Sequence, residues 1–281
     1  MTFGKNEIKT GYISGACTHP DYRNRGAMRE LLSQAFTRML HNDMAVSTLI
    51  PAEPWLFGYY AGMGYAPVFR YSSTIFTASE VTTANEAVVL NKINQEEVYR
   101  YLDRKLRERP YCIQHTETDF RVILADLQLG KGCVYILKQG DKIPALAIVY
   151  PAGSTWQAGE VVAETPEMHS LLLQRICGQL NIPFIRVIAP AVAGQNPQVL
   201  GMARIINAKT VLQQYAAEHP ELKMSIALTD PQISANNGYY YLNNGKCMNS
   251  AKRLPGSHLA LTIGELTEKI LSPLHPYMSL M

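Results

Sequence analysis

The sequence predicts an α+β protein of more than one domain, and three observations carry that reading. Apolar residues recur at helical spacing in some blocks and in short strand-like runs in others. This alternation restarts near Val81, and its character changes again in the last third of the chain. With 281 residues, the chain can bury two cores, or one large one.

Taken in order, "EIKTGYISGACT" reads as a strand through Ile8, Tyr12 and Ile13, with small residues near its end. After the turn "HPDYRNRG", residues Met28, Leu31, Leu32, Ala35, Phe36, Met39 and Leu40 mark one face of a helix reaching about Asn42. "AVSTLIP" is a short strand, "WLFGYYAGM" a helix, and "GYAPVFRYSSTIF" two short strands divided by proline. "NQEEVYRYLDRKLRERP" and "ETDFRVILADLQL" are helices stopped by Pro110 and Gly130. "CVYILKQGDKIPALAIVYP" is a hairpin around Gln139-Gly140-Asp141, "WQAGEVVAE" another strand, and "PEMHSLLLQRICGQLN" a helix opened by Pro166. "PFIRVIAP" follows as a buried-type strand, and "AVAGQNPQVLG" is the best linker candidate. In the last third, "ARIINAKTVLQQYAAEHPEL" contains a helix ending before Pro220. Two or three strands come next, with Asn-Gly pairs at 237–238 and 244–245 as tight-turn residues. "LALTIGELTEKILSP" closes with a strand and a helix whose Thr262 and Glu265 have capping-box spacing.

Composition narrows the function. A formal charge of +3 is too small for a duplex nucleic-acid binder or an anionic membrane surface. No apolar run has bilayer-spanning length, and the N-terminus lacks a signal-peptide core. The five cysteines form no CxxC pair, and the seven histidines form neither HxxxH nor HExxH. No metal site is expected, and a reduced, cytoplasmic location fits best.

The stretch "THPDYRNRGAMREL" carries the chemistry. A helix N-terminus presents unpaired backbone amides and the positive end of its dipole, and so attracts anions. Arg23, Arg25 and Arg29 add positive charge there, and Gly26 removes a side chain where a ligand would approach the backbone. The expected ligand bears phosphate.

"GYISGACTHPDYRNRGAMRELL" resembles strand 4 and helix 3 of the GNAT (Gcn5-related N-acetyltransferase) superfamily. That family's loop pattern is [Q/R]-x-x-G-x-[G/A], and Arg23, Gly26 and Met28 stand at its three positions, Met28 departing from the usual small residue. The Eis-type (enhanced intracellular survival) branch tolerates a larger apolar residue there. The domain order is also Eis-like, "GMARIIN" at 201–207 being a further likeness. The resemblance implies a partial GNAT domain (1–75), a second, degenerate GNAT-like domain without a phosphate loop (76–195) and a sterol-carrier-protein-like domain with a C-terminal tail (196–281). The strand, two helices and two strands that open an intact GNAT domain have no counterpart before "GYISGACT", so only the second half of that domain is expected.

The resemblance also implies acetyl-CoA as co-substrate and direct acetyl transfer to a primary amine, on a small molecule or a lysine. The amides from Arg25 through Arg29, with Asn24 and Ala27 in the same loop, would cradle the pyrophosphate. Ala16, Cys17 and Thr18 would pair with the pantetheine arm as an added strand, an amide near Cys17 polarising the thioester carbonyl. In "YYAGMGY", Tyr60 matches the leading position of Y-x-x-x-G-[FY], the family's general acid; Tyr59 is the adjacent rival. The terminal carboxylate, carried by Met281, would be the base. The family assembles as oligomers, often hexamers, which is the expectation here. Two other functions stay open, a non-catalytic ligand-binding protein and an assembly module, each with a vestigial acetyltransferase portion.

Overall fold

Residues 1–79, 94–191 and 197–279 are described by a computed structural model. In chain order the elements are β1 (Thr2–Phe3), β2 (Asn6–Glu7), β3 (Thr10–Tyr12), α1 (Ala27–His41), β4 (Val46–Leu49), α2 (Leu56–Ala61), β5 (Ala66–Thr77), α3 (Gln95–Arg107), α4 (Glu117–Leu129), β6 (Cys133–Gln139), β7 (Lys142–Ala152), β8 (Thr155–Ala163), α5 (Pro166–Leu180), β9 (Phe184–Pro190), β10 (Gln198–Ile205), α6 (Ala208–Glu218), β11 (Met224–Thr229), β12 (Gly238–Asn243), β13 (Lys246–Ser250), β14 (Leu259–Thr262) and α7 (Ile263–Leu271). The class is the expected α+β.

Contacts divide the chain into two compact units. The first takes Met1–Arg70 and Val199–Pro276, and the second takes Tyr71–Gln198 with residues 277–279. This differs from the three consecutive segments 1–75, 76–195 and 196–281. The physical reason is β10, which pairs antiparallel with β4 from Met202↔Leu49 to Ile205↔Val46 and so ties the last third of the chain to its beginning.

In the first unit the strand order is β3-β4-β10-β5, β3 running parallel to β4. A second sheet has the order β13-β12-β11-β14, with α6 against β12 and β13 and α7 against β11 and β14. Helix α7 starts with the expected capping box, in which Glu265 Oε2 accepts from Thr262 N at 2.7 Å and Thr262 Oγ1 accepts from Glu265 N at 3.3 Å. Asn244 and Gly245, at φ 49° and 72°, form the β12–β13 hairpin turn as their sequence suggests. Asn237-Gly238 makes no such turn; Asn237 is extended and Gly238 begins β12.

In the second unit the order is β9-β8-β7-β6, with β5 on the outer side of β9. The apolar run in β7 serves two faces. Leu146 and Ile148 join the core under α3 and α4, while Ala145, Ala147 and Val149 join the core under α5. A strand covered on both sides reads as continuous hydrophobicity, because its period of two is hidden. The segment after α7 is docked: Tyr277 N donates to Tyr111 O at 3.0 Å, Ile113 N donates to Tyr277 O at 2.9 Å, and Tyr277 Oη donates to the buried Glu160 at 2.8 Å.

Three expectations need correction. "EIKTGYISGACT" is not one strand: only Thr10–Tyr12 pairs with β4, and Ala16–Thr18 lies beyond the ladder. "GYAPVFRYSSTIF" forms the single strand β5, since Pro67 is its second residue, where a missing N–H interrupts little. The linker candidate at 191–201 runs into β10, which continues through "ARI", so α6 starts only at Ala208 behind its Asn207 cap. Residues 192–196 lie outside the described residues.

Candidate active site

The first chemical element is the connection from β3 to α1. The ladder ends when Ile13 N donates to Thr48 O at 2.9 Å, and Ser14 to Cys17 are then exposed. A 3-10 turn over Pro20–Tyr22 reverses the chain. Arg23 closes the loop, its Nε donating to Thr18 O at 3.1 Å. Asn24 and Gly26 adopt left-handed φ of 60° and 81°, which Asn tolerates and Gly prefers.

Gly26 is the N-cap of α1, and no side chain caps the helix. Its carbonyl accepts from Glu30 N at 3.0 Å, so the amides of Ala27, Met28 and Arg29 precede the first intrahelical bond. A Cβ built on Gly26 would meet no atom within 4 Å. Packing therefore does not require glycine here; the positive φ does. Met28 turns its side chain onto the core, which leaves its backbone available despite its size. Arg25 lies over the exposed Tyr22 ring at 5.5 Å, and Arg29 is exposed. The start of α5 is different: Thr165 Oγ1 accepts from Met168 N at 3.3 Å, and Pro166 has no amide to offer. Only the first of these two helix starts is open to an anion.

The second element is Tyr60 on α2. It is buried in one cluster with Leu32 and Phe36 of α1, Leu49 of β4, and Met63, Tyr65 and Met202. Its ring meets those of Tyr59 and Tyr65 edge-on, at centroid distances of 5.4 and 5.8 Å. Burial, with a smaller contribution from Tyr59, raises its pKa above the ordinary 10.0, so the phenol stays protonated at neutral pH. Tyr59 is only half-buried. The structure thus gathers the α1 side chains and Tyr60 into one core, while Ala16, Cys17 and Thr18 stand on the loop that precedes α1. Met281 lies outside the described residues.

The sequence reading missed Arg204 and Asp230. Arg204 is fully buried, and its Nη2 donates to Asp230 Oδ1 at 2.7 Å. The available signal was one arginine inside the apolar strand "GMARIIN". Gly64, the glycine of Y-x-x-x-G-[FY], sits beside this pair at φ 86°, where a Cβ would come within 2.6 Å of Ile263 Cγ2 and 3.2 Å of Arg204 Nε. Gly64→Ala is expected to destabilise the protein by about 2–4 kcal/mol, combining left-handed strain with overpacking. Urea unfolding measures it, and a loss within error of zero would contradict this account.

Residues 1–68 match the family described as acetyltransferase (GNAT) domain. None of the curated proteins compared matches. Among solved structures, Eis1 from Mycobacterium abscessus superimposes with a TM-score of 0.68 at 13% identity, over 96% of this chain and 74% of that one. A conserved protein of unknown function from Enterococcus faecalis, titled a probable N-acyltransferase, gives 0.72 at 15%, over 95% and 73%. A GCN5-related N-acetyltransferase from Anabaena variabilis gives 0.71 at 16%, over 99% and 83%. At these identities the likeness is one of fold.

Proposed function

We propose that this chain is an acetyl-CoA-dependent N-acetyltransferase that moves the acetyl group directly to a primary amine in a ternary complex. The GNAT domain is one of acyl transfer from acyl-CoA, and its match falls on residues 1–68. The single observation that carries the proposal is the uncapped start of α1 behind left-handed Gly26. A diphosphate there would receive the amides of Ala27, Met28 and Arg29, with Arg25 and Arg29 alongside. Beyond the β3–β4 ladder, the backbone at Ala16, Cys17 and Thr18 would pair with the pantetheine arm, the Thr18 carbonyl also accepting from Arg23 Nε, and an amide near Cys17 would polarise the thioester.

In this reading Tyr60 returns a proton to the departing thiolate. Its burial and raised pKa suit an acid that must hold its proton at neutral pH. The Eis-type resemblance implies an aminoglycoside, another polyamine or a protein lysine as the acceptor.

Isothermal titration with acetyl-CoA tests the proposal. Micromolar binding is expected, and Arg25→Glu should weaken it about tenfold, the effect of reversing one exposed charge beside a phosphate (about 1.4 kcal/mol). No detectable binding by the unaltered chain would overturn the reading and leave a binding or assembly role for the fold.

A further inference from the structure

We infer that Arg204 is a positioning residue for Tyr60, acting through the backbone turn that follows α2. This inference rests on the reading of Tyr60 as the acid. Arg204 stands on β10 with no exposed surface, and each face of its guanidinium is used. Nε donates to Met63 O at 2.8 Å, Nη1 to Ile205 O at 2.9 Å, and Nη2 to Asp230 Oδ1 at 2.7 Å. Its plane lies over the Phe36 ring of α1, 4.4 Å from the centroid. One side chain therefore touches the helix that opens at Gly26 and the turn that ends the helix bearing Tyr60.

That turn is short and directly coupled to Tyr60. The carbonyl of Tyr60 accepts from Met63 N at 2.9 Å and from Tyr65 N at 3.1 Å, and the Met63 carbonyl is the one Arg204 holds. Gly64 supplies the left-handed step that allows Arg204 Nε so close. The far end is equally fixed. Asp230 Oδ1 also accepts from Gln232 N at 2.9 Å and Ile233 N at 3.1 Å, and its Oδ2 accepts from Asn236 Nδ2 at 2.9 Å. Asn236 in turn binds Ile206 O and Ala208 N. The guanidinium is thus held from both sides, with little freedom to pass on.

Energetics favour a geometric role. A buried ion pair gives little net stability over apolar side chains of similar volume, because desolvation offsets the attraction. The contact with Phe36 is one an apolar side chain can also make. What only arginine supplies is a planar fork that reaches Met63 O and Asp230 together; a lysine ammonium is a single point and reaches one. The fork spends one of its bonds on the Tyr60 turn.

The test is a double-mutant cycle on the full chain, with acetyl-CoA and spermidine, following release of free thiol. Arg204→Lys is expected to lower kcat about 10- to 100-fold while KM for acetyl-CoA changes less than twofold. On a Tyr60→Phe background the same substitution should cost less than twofold, since the group it positions is gone. Equal losses in both backgrounds, or unchanged kcat in Arg204→Lys, would overturn the inference. A second measurement does not depend on turnover: with ring-labelled tyrosine, the Tyr60 carbon resonance should shift in Arg204→Lys while those of Tyr99 and Tyr150 stay put. An unmoved Tyr60 resonance also overturns it. If Tyr60→Phe itself keeps full kcat, the acid assignment fails, and the resonance alone decides the role of Arg204. Asp230→Asn, which weakens one bond of the fork and leaves the others, replaces Arg204→Lys if the lysine variant does not fold, with the same readouts and a smaller shift.

Discussion

Tyr60→Phe is expected to lower kcat for acetyl transfer by about 10²- to 10⁴-fold, the range for removing a positioned general acid, with KM for acetyl-CoA little changed. The substitution is a clean one. Phenylalanine keeps the edge-on contacts with Tyr59 and Tyr65 and the burial against Leu32 and Phe36, so the fold loses little. What it removes is the proton that, on the proposed reading, passes to the departing thiolate. Because burial raises the Tyr60 pKa above 10.0, the protonated acid persists to higher pH than for a free phenol. Any fall in kcat below pH 10 must then come from another group, and loss through Tyr60 itself belongs above that value. Tyr59→Phe, at a half-buried position, should turn over normally. Steady-state kinetics at saturating acceptor separate the two, and an unchanged rate in Tyr60→Phe would remove the assignment.

How much of this was legible in the sequence follows from how local each feature is. Helix α1 could be read because its apolar positions and its loop lie within one stretch, and Gly26 marks its start. The α7 capping box was legible for the same reason: Thr262 and Glu265 are three residues apart. Strand β10 was hidden, because "QVLGMA" has the glycine and small residues of a connector and its partner β4 is some 150 residues earlier. Its pairing with β4 and β5 makes it a strand, since strand preference is largely set by neighbours. Arg204 was invisible in the same way, because its meaning depends on Met63 and Asp230, which no short window contains. Met28 shows the reverse case. It breaks the loop pattern on paper, yet its side chain joins the core and its amide remains where the pattern needs it.

Asp230→Ala should destabilise the first unit by about 3–5 kcal/mol. Alanine strands a fully buried guanidinium and also leaves the amides of Gln232 and Ile233 and the Asn236 side chain short of an acceptor. Removing one partner of a buried pair costs far more than the pair contributes, because the remaining charge has neither water nor a counter-ion. At roughly 2–4 °C per kcal/mol for a unit of this size, the melting temperature should fall by on the order of 10 °C. The exposed pair Glu96–Arg100, at 2.6 Å and i,i+4 on α3, is the control, and Glu96→Ala should cost less than about 1 kcal/mol. The decisive comparison is Asp230→Ala against Asp230→Ala with Arg204→Met, both followed by urea unfolding. Removing the charge as well as its partner should recover a large part of the loss in stability and none of the loss in kcat. Recovery of both would make the pair a packing feature with no bearing on Tyr60, whereas recovery of stability alone separates holding the fold from aiming the acid.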